Sequence, residues 1–295
     1  MQTASAKMTE NFAVFILSHG RPDNVTTYRT LKRKGYTGRI YIVVDDEDAS
    51  AEQYIANYGD EVLRFCKQDI QNMMDDGDNF PHRRSVIYAR NACWALAKQV
   101  GVDHFVQLDD DYHAFAYRYN KNGVFGSYAV NSTLDNVFIL MINFLKSSGA
   151  LTVALSQGGD HIGGGKDAIR LKRKAMNSFF CATARPFQFV GRMNDDVNTY
   201  VALGARGGLF LTTMAISLHQ SQTQANEGGL TGLYLEMGTY TKSFYTVMMA
   251  PSCSQISILK DPASPHPRIH HKINWNRAVP MILPEKYKKS IVGEG

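Results

Sequence analysis

HFVQLDDDY, residues 104–112, decides how the rest of the chain is read. A short apolar run, Phe105, Val106 and Leu108, stops at three consecutive carboxylates, Asp109, Asp110 and Asp111. An apolar run bounded so abruptly has the pattern of a buried strand. Three acids at its end cannot all ionise unpaired beside a core, because neighbouring like charges oppose joint ionisation. A bound cation resolves the conflict, and carboxylate oxygens suit Mg²⁺ or Mn²⁺. An Asp-x-Asp at the carboxyl end of a parallel strand can hold a metal, and the metal can hold a diphosphate. The alternative is an acidic loop after an edge strand, and spacing alone does not separate the two.

Upstream, Phe12–Ser18 (FAVFILS) is a continuous apolar run, the pattern of a strand covered on both faces. It stops at His19-Gly20-Arg21-Pro22, after which Asp23 or Asn24 can cap a helix through about Arg33, ended by Gly35. Arg39–Val44 is the next strand, followed by Asp45-Asp46-Glu47-Asp48; a helix over Ala51–Tyr58 precedes a third strand near Val62–Cys66. This alternation is that of a doubly wound α/β domain, whose ligands bind at the carboxyl ends of the strands. Ser18–Arg21 and Asp45–Asp48 both lie there. Gln71–Arg84 is polar with Gly and Pro and reads as a mobile loop. The helix SVIYARNACWALAKQVG follows, with Val86, Ala89, Ala92, Cys93 and Leu96 on its apolar face and Arg90 in its middle. Taken alone, Arg90 is a solvated helix charge.

Downstream, Phe115–Ser127 reads as a hairpin or ordered loop, and Asn131 or Ser132 caps a helix over Leu134–Lys146. The strand Leu151–Leu155 runs into SQGGDHIGGGKD, which lacks Walker spacing and reads as a flexible segment over a site. Arg170–Lys174 (RLKRK) is a solvated face or, so close to that segment, a contact for a polyanion. Phe179–Ala182 is a strand, and Phe187–Val190 leads to a second acid pair, Asp195-Asp196, at the start of the helix VNTYVALGARG. One acid suffices to cap that helix, so the other is left over. Leu209–Ile216 and Ser243–Ala250 read as strands, Asn226–Gly238 as a turn and short helix. The tail holds His270-His271, Trp275 and the basic KYKK run.

Hydrophobic residues at 44% and charged residues at 20% exclude a disordered chain. A net charge of +5 neither requires nor opposes a nucleic-acid partner. Four scattered cysteines without C-x-x-C spacing argue for reduced thiols and against a zinc site. No signal region opens the sequence and no segment approaches the length of a membrane span, so a cytoplasmic protein is expected. No sharp linker divides the chain. One domain over 1–295 is expected, with a nucleotide-sugar half (12–112), an acceptor-side half (113–262) and a tail (263–295) that folds back on the site.

The order of these parts resembles that of GT-A glycosyltransferases, and more narrowly the phage TET-associated DNA-base glycosyltransferases. The resemblance rests on FILSHGRPDN, YIVVDDED, YARNACW, FVQLDDDY, GRMNDDVNTY and RIHHKINW, which run from Phe12 to Trp275. It implies a mixed α/β sheet flanked by helices. It also implies a UDP-sugar donor, a Mn²⁺ or Mg²⁺ cofactor, and transfer of glucose or arabinose to 5-hydroxymethylcytosine in DNA, inside a phage-infected cell. By the resemblance, Ser18, His19, Gly20 and Arg21 frame the nucleobase, and Asp45 or Asp46 bonds the base or ribose. Arg90 faces the nucleotide or its diphosphate. Asp109, with Asp110 beside it, flanks metal and ribose, and Asp111 is the favoured direct ligand. His270 or His271 closes the metal site; strand alternation puts the two on opposite faces, so one is expected to serve. A hydroxymethyl oxygen needs a general base, which Asp195 or, by preference, Asp196 supplies, with inversion at the anomeric carbon. Double-stranded DNA is expected to present its base flipped out, with Gly163–Lys174, Lys272 and Lys286–Lys289 on its phosphates and binding that weakens steeply with salt. The rival readings are a protein, lipid or glycan acceptor on the same fold, a nucleotidyltransferase releasing pyrophosphate, and a non-catalytic nucleic-acid-binding module.

Overall fold

A computed structural model describes residues 8, 10–79, 82–130, 133–161, 171–220, 239–259 and 268–278. Its first strand, β1 (Phe12–Leu17), is buried at every position. Phe12, Val14 and Ile16 enter the core on one face of the sheet, while Ala13, Phe15 and Leu17 enter the core on the other. A strand packed on both sides needs apolar residues at every position, hence the unbroken run. The strands that follow are β2 (Arg39–Asp45), β3 (Val62–Phe65), β4 (His104–Asp109), β5 (Tyr112–Tyr119), β6 (Phe125–Ala129), β7 (Thr152–Ser156), β8 (Ser178–Ala182) and β9 (Phe210–Gln220). All nine form one sheet in the order β3-β2-β1-β4-β8-β7-β9-β5-β6.

β3, β2, β1 and β4 are parallel. β8 runs antiparallel to β4, β7 antiparallel to β8, and β9 parallel to β7. The carboxyl ends of β1–β4, β7 and β9 therefore share one edge with the amino ends of β8 and β5. Helices α1 (Thr26–Arg33), α2 (Ala51–Tyr58) and α5 (Leu134–Ser148) contribute Leu31, Tyr54, Phe138 and Ile142 to one core. On the opposite face, α3 (Lys67–Gln71), α4 (Ile87–Gln99) and α6 (Asp195–Gly204) contribute Ile70, Ile87, Trp94, Val197 and Val201. This is the mixed sheet flanked by helices expected of a GT-A-type chain. The expected hairpin after the acid triplet is β5–β6, closed by Asn120, whose Oδ1 accepts the N–H groups of Asn122 and Val124 at 2.9 and 3.0 Å.

Two expectations are corrected, and one element was not anticipated. Residues expected as the strand Ser243–Ala250 form helix α7 (Thr239–Met249). Its Thr, Tyr and Phe content favours a strand, but Ser243, Tyr245 and Thr246 are buried while Phe244 is 45% and Met248 62% exposed, a helical period. Tertiary packing overrides local preference here. An unanticipated strand, β10 (Ser254–Leu259), pairs antiparallel with the tail strand β11 (Arg268–Ile273). Residues 268–278 pack against α6 and α7: Trp275 stacks on Tyr200 of α6 at 5.8 Å, and Ser243 Oγ donates to the Ile269 carbonyl at 3.0 Å. Neither Asp23 nor Asn24 caps α1, whose N-cap is Val25. Asn131, Ser132, 163–170, 226–238 and 286–289, to which caps, a turn and DNA contacts were assigned, lie outside the described residues. All four cysteines are free. No helix among the described residues is long and apolar enough to cross a membrane.

Candidate active site

The triplet at the end of β4 is divided by strand geometry. Asp110 is buried and turned inward, accepting Ser18 Oγ at 2.6 Å and pairing with Arg21 NH2 at 3.1 Å. Tyr54 OH lies 2.6 Å from Ser18 Oγ and accepts the Arg21 backbone N–H at 2.8 Å, so Ser18–Arg21 is fixed to the triplet through its one inward member. Thr27, early in α1, clamps the backbone: its N–H donates to the Asp110 carbonyl, its hydroxyl donates to the Asp109 carbonyl and accepts from Tyr112 N. Asp109 approaches Arg90 at 3.6 Å, and Asp111 has no ion-pair partner among the described residues. Burial, reinforced by Asp109 and Asp110, pushes the Asp111 carboxyl up to about 6. Burial also lifts Asp110 to about 6, against the pull of Arg21 and Ser18.

At the end of β2, Asp45 is buried between Lys67 Nζ at 2.9 Å and His19 Nδ1 at 2.8 Å. The hydrogen bond to Asp45 raises the His19 pKa. Gly20, at φ +71°, brings its N–H to Asp48 Oδ2 at 2.7 Å, a turn that a side chain would strain. Asp46 is exposed; its Oδ1 accepts the Lys67 N–H at 2.9 Å, capping α3. The carboxyl ends of β1, β2 and β4 thus carry Ser18–Arg21, Asp45–Asp46 and Asp109–Asp111 side by side. Lys67 was missed. Its signal was a lysine just beyond the carboxyl end of a parallel strand.

Arg90 is 4% exposed and is not a solvated charge. Its Nε lies 3.0 Å from Asp195 Oδ2, and its guanidinium lies 4.6 Å from the Phe179 ring centre and 5.5 Å from that of Phe189. It joins the end of β4 to the start of α6. Neither acid of the second pair is a cap. Asn194, in the left-handed region at φ 51° and ψ 37°, is the N-cap, and Asp195 and Asp196 lie in the first turn. The Asn194 amide donates instead to the Lys242 carbonyl at 2.6 Å and to Thr246 Oγ1 at 3.0 Å, tying the turn to α7. Asp196 Oδ1 accepts the Val197 N–H at 2.7 Å. Burial raises the Asp195 carboxyl to about 7 despite Arg90, with Asp196 and Asp109 adding to the rise. An acid raised in the folded state contributes stability that is fully present below its unfolded value near 4 and lost as pH rises through about 7. The melting temperature of the wild type is therefore expected to fall relative to that of Asp195→Asn between pH 5 and 8. Parallel curves would exclude the raised carboxyl.

On β11, His271 is half-buried and His270 exposed. Burial, together with His270, lowers the His271 pKa to about 4, so the ring is neutral. The two rings lie 4.3 Å apart, not on opposite faces as alternation implies. His271 Nδ1 is 3.5 Å from Asn194 Nδ2. Among the described residues no three His, Cys, Asp or Glu side chains converge as a metal-holding group, so the structure does not bring the histidines together with Asp109 and Asp111.

The segment expected to be a mobile loop is held by Arg192. This guanidinium pairs with Asp76 at 3.0 Å and Asp78 at 3.2 Å. Tyr88 OH donates to Asp76 at 3.0 Å, and Tyr245 OH donates to the Asp76 carbonyl and toward Asp78. Arg83 further pairs with Glu47. In the basic run, Lys174 is paired with Asp160, which leaves less of that face for a polyanion.

An acidic strand end, the Ser18–Arg21 turn and an acid-bearing helix, joined through Arg90, meet at the carboxyl edge of the sheet. Residues 12–229 match the TET-Associated Glycosyltransferase family, and the chain belongs to it. It is accordingly a glycosyltransferase. No curated protein sequence matches the chain. Among solved structures it is similar to a mycobacterial protein at 11% identity and TM-score 0.47, over 90% of this chain and 85% of that one. It is also similar to glucosyl-3-phosphoglycerate synthase from Mycobacterium tuberculosis with Mn²⁺, uridine diphosphate and phosphoglyceric acid, at 13% identity and TM-score 0.45, over 90% and 87% of the two chains. Likeness at this level says nothing about substrates.

Proposed function

We propose that the protein transfers glucose or arabinose from a UDP-sugar to the hydroxymethyl oxygen of 5-hydroxymethylcytosine in phage DNA. The observation that carries the reading is the meeting of Asp109 and Asp195 on the buried Arg90, which sets the donor strand end against the acceptor-side helix. Family membership supports the transfer chemistry. A divalent cation fits the triplet: Asp110 is consumed internally, leaving Asp109 and Asp111 as outward carboxylates. Asp109 and Asp111 would hold Mg²⁺ or Mn²⁺, hard ions that take carboxylate oxygens as ligands. Bound there, the ion neutralises charge on the leaving diphosphate.

The chain's own residues do the rest. The Ser18–Arg21 turn frames the base, Asp46 offers its outward oxygen to the base or ribose, and the Arg21 guanidinium lends positive charge beside the nucleotide. Arg90 positions Asp109 and Asp195 instead of touching the donor. Asp196 takes the hydroxymethyl proton as the oxygen bonds to the anomeric carbon and the bond from that carbon to the diphosphate breaks, with inversion.

The test is a panel of nucleotide sugars with hydroxymethylated DNA, unmodified DNA, glycans and protein, with and without Mn²⁺, read by the mass of the modified nucleoside. The expected result is one added sugar on 5-hydroxymethylcytosine, abolished by chelation and by Asp111→Asn. Consumption of donor only with a glycan, lipid or protein acceptor, or release of pyrophosphate, would sink the DNA reading.

A further inference from the structure

Two non-glycine residues have positive φ among the described residues, Asn194 (φ 51°) and Asn177 (φ 57°). Asn194 opens α6, whereas Asn177 has no task in the chemistry above. It stands immediately before β8, on the edge that carries the carboxyl end of β4. The register pairs Leu108 with Ser178, which puts Asn177 beside Asp109. On the other flank Tyr112 pairs with Gln220, the last residue of β9. The Asp109–Asp111 turn is thus bracketed by Asn177 and Gln220, and the bracket is closed: Asn177 Nδ2 donates to Gln220 Oε1 at 2.8 Å. Tyr112 OH donates to the Asn177 carbonyl and fixes the residue in its uncommon conformation. Both residues are half-buried.

We propose that this amide pair reads the acceptor base, an inference that rests on the DNA-acceptor reading above. Two bonded primary amides leave one carbonyl and one amino group for a further partner, whichever way the pair is turned. A donor beside an acceptor complements the edge of cytosine, where the exocyclic amino group adjoins the acceptor N3. Enzymes that act on an extruded base read it on this edge, and Asn or Gln is the residue type that makes such paired contacts. C5, which bears the hydroxymethyl group, adjoins C4, so gripping the base here fixes the reacting oxygen next to the acid triplet. Asn177 and Gln220 are specificity residues for the acceptor and take no part in bond breaking.

The experiment compares wild type, Asn177→Ala and the isosteric Gln220→Glu in two assays: transfer to DNA containing 5-hydroxymethylcytosine or 5-hydroxymethyluracil, and hydrolysis of the nucleotide sugar without DNA. The expected result is a loss of about 10- to 100-fold in kcat/KM for hydroxymethylcytosine DNA, carried mainly by KM. Preference between the two bases should shrink, and donor hydrolysis should be unchanged. Variants that transfer with wild-type KM and base preference overturn the inference alone. So does a parallel fall in hydrolysis, which marks a merely structural bond. Failure of the wild type to glycosylate any DNA overturns the acceptor reading and this inference with it.

Discussion

Arg192→Met is expected to destabilise the protein by about 3–5 kcal/mol, the usual cost of removing one partner of a buried ion pair. Arg192 is 1% exposed, and its guanidinium serves two carboxylates, Asp76 and Asp78. Methionine matches the volume of the stem but removes the guanidinium that both largely buried carboxylates face. Tyr88 OH and Gln71 Nε2 still donate to Asp76, and Tyr245 OH to Asp78, but neutral donors do not replace the charge. The damage should spread to the site, because Asn194–Asp196 begin two residues after Arg192 and the Arg192 backbone N–H donates to Tyr245 OH of α7. Urea unfolding measures the loss, and a melting temperature lower by about 10 °C would accompany it. Adding Asp76→Asn and Asp78→Asn to the variant should restore part of the stability by removing the stranded charges. A single variant within about 1 kcal/mol of wild type would show that the network is not what holds residues 75–78 in place.

The same residue shows why parts of the molecule were hidden in the sequence. Residues 71–84 look like a mobile loop because nothing local orders them; their anchor, Arg192, is 114 positions beyond Asp78, and Tyr245 lies 167 beyond it. α7 looks like a strand because its burial period depends on Arg192 and Asn194, which no local pattern reveals. The sheet edge was legible for the opposite reason. FAVFIL and RIYIVV are apolar at nearly every position because both faces are covered, and the polar residues that stop them mark the carboxyl ends. Asp109–Asp111 was legible as a site for the same reason. Its internal division was not, because the inward role of Asp110 depends on Ser18 and Arg21 reaching it from β1. Arg90 looked solvated because a helical wheel cannot show that Asp109 and Asp195 lie over it. The histidines could be placed on one strand but not aimed, since their direction depends on how the tail packs against α6 and α7.

Asp196→Asn is expected to lower kcat by about 10²–10⁴-fold, the contribution of a well-placed general base. The choice between the two acids follows from what already occupies them. Asp195 Oδ2 faces Arg90 at 3.0 Å, so one of its oxygens is already engaged by a buried guanidinium. Asp196 gives one oxygen to the Val197 N–H, and its other oxygen has no partner among the described residues. Asparagine keeps the shape and the bond to Val197, so folding should survive, and the loss should fall on kcat with donor KM little changed. Asp195→Asn should behave differently. It frees Arg90 to pull on Asp109 and should raise donor KM as well as lower kcat, because the donor strand end loses its alignment. Steady-state kinetics on hydroxymethylated DNA with donor and acceptor varied separately distinguishes the two. If Asp195→Asn shows the pure kcat loss and Asp196→Asn does not, the base is Asp195, and Arg90 serves to tune its proton affinity instead of only fixing its position.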